Sequence, residues 1–376
     1  MRIGFGEFSK WDFHACSVET MPLGGSQSAA CYLTQALARQ GHDVFLLNST
    51  STPGSYGNVT CLSLPKTSQK ELRDLGLDAF VCLPGAGFGK RLREVLGDKT
   101  KLVLWTQHRI NQPAVEALAD VNESGSYDAF AFVSEWQREE FRLGFGLPGA
   151  RTHVLRNGAA PAFVELFPED QSILPQKSMP PVLAYTSTPF RGLDLLIEAF
   201  PSIRAQVPEV RLRVFSSMSV YQVAAAEEQA EFGALYERCR QTAGVEYVGS
   251  MAQPALAREM RSAAMLAYPN TFPETSCIAA LEAMASGCRV VTSGLGALPE
   301  TTAGLAQLIP PRQERGAYLQ QFVERTVASL SEMQTNPAAT EETLRQQVHY
   351  IRENATWDVR AREWGSWLER LGGGAV

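Results

Sequence analysis

Apolar positions along this chain follow two alternating patterns. Short unbroken apolar runs at 79–83, 102–105 and 129–133, and shorter ones at 2–5 and 44–47, predict strands buried on both faces. Between them lie longer segments with apolar residues three or four apart, such as 26–40 ahead of Gly41, which predict amphipathic helices. The polar stretch 49–58 reads as a loop. Ser134 opens a further helix that a glycine stops. The same alternation resumes with strands at 182–185, 211–215 and 245–248. Helices are predicted through Leu193, Leu196, Ile197 and Phe200, then over 223–241 and 254–262. Ile278, Leu281, Met284 and Ala285 give the next helix its apolar stripe, with Thr275 or Ser276 as its cap and Gly287 as its stop. Residues 289–292 then form a buried strand, followed by a loop through Gly294, Gly296 and Pro299. Beyond Pro310 the chain is helical. It ends in a helix with Trp357, Val359, Trp364, Trp367, Leu368 and Leu371 on one broad face, which reads as core packing. Strand-helix alternation of this kind specifies parallel sheets with helices on both faces.

At 376 residues the chain is too long for one typical core, so two domains are expected. The Pro-, Gln- and Ser-rich stretch 170–181 reads as the linker. That sets an N-terminal domain over 1–170 and a C-terminal domain over 171–356, leaving 357–376 as the terminal helix. A net charge of −6 argues against a nucleic-acid binder. Lys90, Arg91, Arg93, Lys99 and Lys101 form a local basic run, read as a solvated face, with a weak peripheral contact to anionic lipid as the alternative. Seven cysteines without a C-x-x-C pair imply reduced thiols and a cytoplasmic protein without structural zinc. No apolar run reaches the roughly 18 residues that span a bilayer.

Two carboxylates stand out. Glu282 is surrounded in sequence by Ala279, Ala280, Leu281, Ala283, Met284 and Ala285, so its own helix offers it no polar company. A charge there needs donors, and vicinal sugar hydroxyls supply two. The bland alternative is an ion pair with an arginine. Glu274 precedes the helix start, where backbone N–H groups and the helix dipole favour a phosphate; the bland alternative is an acidic residue that only complements that dipole. Gly24 and Gly25 precede the first long helix, where backbone can approach a ligand. His108 lies just past a strand end, on the side where open α/β sheets bind ligands, although an isolated histidine is more often structural.

The segment PETSCIAALEAMASG, with the glycine-rich loop and Pro299-Glu300 behind it, resembles the E-x7-E signature of retaining GT-B glycosyltransferases, especially glycosyltransferase family 4. The resemblance implies two Rossmann-like domains facing across a cleft, with the C-terminal helix crossing back to the N-terminal domain. It implies a nucleotide-diphosphate sugar as donor and an acceptor hydroxyl on a glycan, lipid or small molecule. By this resemblance Glu274 contacts the donor sugar and Glu282 the nucleotide ribose, and VLRNGAAPAF at 154–163 is similar to the strand and turn, here Asn157-Gly158, that close the family's N-terminal domain. His108 meets the sugar from the first domain, and Gly24 and Gly25 reach donor phosphate and sugar. Arg191, with the helix start at Thr275, Ser276 and Cys277, bears the diphosphate charge. The family's usual Lys-Gly is Arg191-Gly192 here, and Thr186 stands where a second cation is usual. No Asp-x-Asp occurs, so no metal and no further cofactor is expected. The rivals are a binding module without turnover, a sugar-nucleotide epimerase and a sugar-phosphate synthase. An oxidoreductase fits least, since no G-x-G-x-x-G follows the first strand.

Overall fold

A computed structural model of the chain describes residues 1–311 and 314–373. Residues 374–376, the end of the expected terminal helix, lie outside the described residues. The chain divides into two compact units. The first comprises Met1–Val18, Gly24–Gly158 and the chain from Trp357 on; the second comprises Glu19–Leu23 and Ala159–Thr356.

In the first unit β1 (Arg2–Glu7), α1 (Gly25–Arg39), β2 (Asp43–Asn48), β3 (Gly54–Tyr56), β4 (Val59–Ser63), α2 (Gln69–Asp74) and β5 (Ala79–Leu83) come first. They are followed by α3 (Gly89–Leu96), β6 (Lys101–Thr106), α4 (Val121–Gly125), β7 (Ala129–Phe132), α5 (Glu135–Gly144) and β8 (Thr152–Val154). The strand order is β3-β4-β2-β1-β5-β6-β7-β8, parallel except for the β3-β4 hairpin. β5 and β7 are buried along their whole length, as unbroken apolar runs require of a sheet covered on both faces. That hairpin corrects the loop reading of 49–58. Gly57 and Asn58 both have positive φ, at 57° and 62°, as a tight turn between twisted strands demands, so a Gly-Asn pair was the available signal.

The second unit runs α6 (Pro161–Val164), β9 (Val182–Tyr185), α7 (Leu193–Gln206), β10 (Arg211–Val214), α8 (Ala225–Gln241), β11 (Val245–Tyr247) and α9 (Gln253–Ser262). It continues with β12 (Met265–Tyr268), α10 (Ile278–Ala285), β13 (Arg289–Ser293), α11 (Leu298–Thr302), β14 (Gln307–Ile309), α12 (Arg315–Thr335) and α13 (Pro337–Asn354). Its sheet is all parallel, in the order β11-β10-β9-β12-β13-β14. The last helix, α14 (Trp357–Gly372), returns to the first unit. There Trp364 packs against Phe5 and Trp105, and Arg39 pairs with Asp358.

Stretch 170–181 is not a free linker. Phe167 and Ile173 pack on Leu344 and Val348 of α13, and the N–H groups of Ile173 and Leu174 donate to the Glu341 carboxylate. Lys177 is buried, with Nζ donating to the carbonyl oxygens of Arg261 and Ser286 at 3.0 and 2.6 Å. Its polar composition serves specific acceptors, so the units separate at Gly158 instead. Residues 155–158 form no turn either; Asn157 is buried, and its Nδ2 donates to Gln107 at 3.1 Å. In the basic run, Lys90 pairs with Asp120 and Arg93 with Asp128, which neutralises much of that face. Among the described residues no helix is long and apolar enough to cross a membrane. All seven cysteines are unpaired thiols.

Candidate functional site

In an open parallel sheet the crevice forms where successive crossovers leave in opposite directions. In the second sheet that point lies between β9 and β12, since β9 continues to β10 on one side and β12 to β13 on the other. The loops after these two strands carry Arg191 and Glu274. They are pressed together: a Cβ on Gly192, which has φ of 110°, would stand 2.2 Å from the Pro269 carbonyl oxygen. Gly192 is therefore required for the backbone contact that brings the loops into register.

Glu274 is 4% exposed. Nη1 of Arg191 donates to both of its carboxylate oxygens, at 2.7 and 2.8 Å, and the Tyr268 hydroxyl at the end of β12 donates to Oε1 at 2.5 Å. A third element holds its backbone, with Ala297 N–H donating to the Glu274 carbonyl at 2.7 Å and Gly296 paired alongside. Gly296 has φ of 65°, and a Cβ there would lie 2.4 Å from the Glu274 carbonyl oxygen. The Arg191 guanidinium also lies over Phe272 at 4.6 Å and Phe190 at 5.5 Å. Burial opposes its charge, but Glu274 together with the Tyr221 and Tyr268 hydroxyls outweighs this and pushes its pKa up. Burial and the same carboxylate push the Tyr268 hydroxyl up, so it remains a neutral donor. Nε of Arg191 is buried and has no acceptor among the described residues. Asn270 fixes the turn between, its Oδ1 accepting from Phe272 N–H and its Nδ2 donating to the Phe272 carbonyl.

α10 begins at Ile278, with Cys277 as N-cap and no side-chain cap, which corrects the expectation that Thr275 or Ser276 caps it. The Ala280 N–H of the first turn donates to the Cys277 carbonyl at 3.1 Å. Thr275 is buried and Ser276 half-buried just ahead of that turn. Burial and Glu274 hold the Cys277 thiol protonated, so it is not a nucleophile.

Glu282 is 6% exposed in the middle of α10. It does have polar company, but from distant elements: Nε2 of Gln253 donates to Oε1 at 2.8 Å, and the backbone N–H of Ala160 donates to the carboxyl. Neither donor is charged, and burial pushes its pKa up to about 8. The ion pair with arginine is not formed; the carboxyl is met by neutral donors instead.

The structure brings Arg191, Glu274, Thr275, Ser276, Cys277 and Glu282 onto one loop-helix unit and the loop beside it. Gly24, Gly25 and His108 belong to the first unit. Gly24 caps α1 with φ of −63°, an ordinary extended conformation. His108 follows β6; its Nδ1 is 3.2 Å from Gln112 Oε1, and its carbonyl accepts from Gln137 at 2.7 Å. Sequence reasoning gave no role to Tyr268, Phe272 or Gln253, whose importance lies in contacts far along the chain. Among the described residues no group of three or more His, Cys, Asp or Glu side chains is placed to hold a metal ion.

Residues 180–325 match the family model described as glycosyl transferases group 1. The match takes in the second sheet and both carboxylates and leaves the first unit outside it. No curated protein matches the chain. Among solved structures, a glycosyltransferase from Rickettsia africae ESF-5 is 11% identical with a TM-score of 0.72, covering 100% of both chains. Sucrose-phosphate synthase from Thermosynechococcus elongatus is 18% identical with a TM-score of 0.69, again covering 100% of both. HepE of Anabaena, solved in complex with UDP and glucose, is 15% identical with a TM-score of 0.66 over 98% of this chain and 99% of that one. Likeness at these identities establishes fold: the chain has the α/β, two-Rossmann-unit fold of the GT-B glycosyltransferases.

Proposed function

We propose that this protein is a retaining, metal-independent glycosyltransferase of family 4 type, moving a sugar from a nucleotide-diphosphate donor to an acceptor hydroxyl. The observation that carries the reading is the Arg191–Glu274–Tyr268 cluster at the switch point of the second sheet, inside the segment that matches glycosyl transferases group 1. A glycosyl donor of this kind presents sugar hydroxyls beside two phosphates, and the cluster has a counterpart for each. Glu274, paired with its arginine, accepts hydrogen bonds from donor-sugar hydroxyls. Arg191 uses Nη1 on Glu274, which leaves Nε to meet phosphate oxygen, so one guanidinium ties sugar and leaving group together. The first turn of α10, after Thr275, Ser276 and Cys277, meets the rest of the charge that develops on the departing diphosphate. Glu282 holds the ribose. His108, Gly24 and Gly25 are assigned to the donor from the first unit. HepE, alike in fold, was solved with UDP and glucose, which supports a nucleotide-sugar donor.

The test is to incubate the protein with a panel of nucleotide sugars and measure free nucleoside diphosphate. Slow release that an acceptor accelerates supports transfer, with product anomeric configuration read by NMR. Binding without release supports a non-catalytic module, and an isomerised sugar supports an epimerase. Within the transferase reading, Glu274→Gln and His108→Ala lower turnover while affinity for the nucleoside diphosphate stays near wild type. Loss of nucleotide affinity with turnover retained refutes those two assignments.

A further inference from the structure

Gln253 opens α9, with Pro254 behind it. Its Nε2 donates to Glu282, which commits the nitrogen end of the amide to the carboxyl and leaves the oxygen end facing elsewhere. That Oε1 is buried and has no partner among the described residues. An amide oxygen removed from water without a donor is costly, so a ligand hydroxyl that donates to it gains the full worth of that bond. The neighbouring carboxyl is also under-supplied, with two uncharged donors for two oxygens that accept more than two bonds. An N–H···O bond joins the two side chains, so their acceptor oxygens stand no more than about 5 Å apart. Two adjacent acceptors at that separation match a vicinal diol, each hydroxyl of which donates one hydrogen.

We infer that Gln253 is the second acceptor of a vicinal-diol subsite, in which one ribose hydroxyl donates to Glu282 and its neighbour donates to Oε1 of Gln253. The inference rests on the nucleotide-sugar reading and adds to it a residue from a different helix, outside the E-x7-E unit. It makes the subsite selective for ribonucleotides at both hydroxyls through two separate contacts. Gln253 also positions Glu282 through the Nε2 bond, so the experiment has to separate contact from positioning.

The full-length protein is titrated calorimetrically with UDP, ADP and GDP, each beside its 2′-deoxy and 3′-deoxy forms. Wild type is expected to bind a ribonucleotide more tightly than either deoxy form, by about 3- to 10-fold at the hydroxyl facing the neutral amide and by more at the one facing Glu282. Gln253→Ala is expected to abolish discrimination at one hydroxyl and retain it at the other. Gln253→Met, which keeps the side-chain volume, is expected to do the same with an unchanged unfolding midpoint. If both discriminations fall together, Gln253 only positions Glu282 and the inference is overturned. It is overturned equally if neither changes. If wild type binds none of the three ribonucleotides, the nucleotide reading itself fails and takes the subsite with it.

Discussion

Glu274 and Glu282 sit eight residues apart on one loop-helix unit, and both are almost fully buried, yet their surroundings give them opposite chemistry. Glu274 has a guanidinium on both oxygens, and Glu282 has an amide and a peptide N–H. The first is therefore met by a cation, whereas the second has only neutral donors and burial pushes its pKa up to about 8. Identical residues at a fixed spacing are thus complemented by a guanidinium in one case and by neutral donors in the other, because charge complementation is decided by the elements packed above each. The contrast also changes what Arg191 is for. A residue assigned from sequence to the diphosphate alone is half committed to a carboxylate, so its loss strands a buried charge as well as removing a phosphate contact.

The sharpest way to break the comparison is to remove that arginine. Arg191→Ala should destabilise the protein by about 3–5 kcal/mol in chemical denaturation, the usual cost of leaving one member of a buried pair alone. Adding Glu274→Gln should recover a large part of it. A loss below about 1 kcal/mol would mean that Glu274 finds other compensation and is no more anchored than Glu282. Next comes the pH dependence of Glu282. Below pH 4.5 its carboxyl is protonated in both folded and unfolded chains. Between 4.5 and about 8 the unfolded chain ionises first, so this group's contribution to stability is lost as pH rises through that window. Up to about 5 kcal/mol should separate the ends of it, at about 1.4 kcal/mol per unit of pKa difference. Urea unfolding across the window should show a fall in wild type that is flattened in Glu282→Gln; parallel curves would place the ionisation elsewhere.

A smaller effect is expected from the glycine that holds only the Glu274 side of the unit. Gly296→Ala forces a Cβ against the Glu274 backbone at a positive φ and should cost about 2 kcal/mol. Its thermal midpoint should fall, with the pH dependence assigned to Glu282 unchanged. A shift in both would show that the two carboxylates are mechanically coupled. No effect at all is expected from chelation. If Arg191 and the first turn of α10 carry the diphosphate charge, turnover should be the same after exhaustive treatment with EDTA. Activity that vanishes and returns with Mn²⁺ would defeat the metal-free reading.

Much of the fold was legible because it is local. Unbroken apolar runs bounded by glycine become buried parallel strands, and 79–83 and 129–133 fall within a residue of the observed β5 and β7. The β3-β4 hairpin was not found, since alternation in β4 is short and its apolar positions include Cys61. Polar composition also misread 170–181, because a serine, glutamine or lysine in a linker looks the same as one bonded to a distant carboxylate or carbonyl. The positions of the two glutamates and of Arg191-Gly192 were legible, and so was the need of Glu282 for donors.

By itself the sequence determined two α/β units, their strand-helix order and the residue types at the crossover loops, all of which follow from periodicity and punctuation over a few residues. Only the tertiary structure decided which of those residues meet. Arg191 reaches Glu274 across 83 positions because β9 and β12 are neighbours in the sheet, and Gln253 reaches Glu282 across 29 because the fold sets the start of α9 within hydrogen-bond reach of the middle of α10. Ionisation, and with it chemical role, depends on burial and on the charge of the nearest donor, and neither is a property of any segment taken alone.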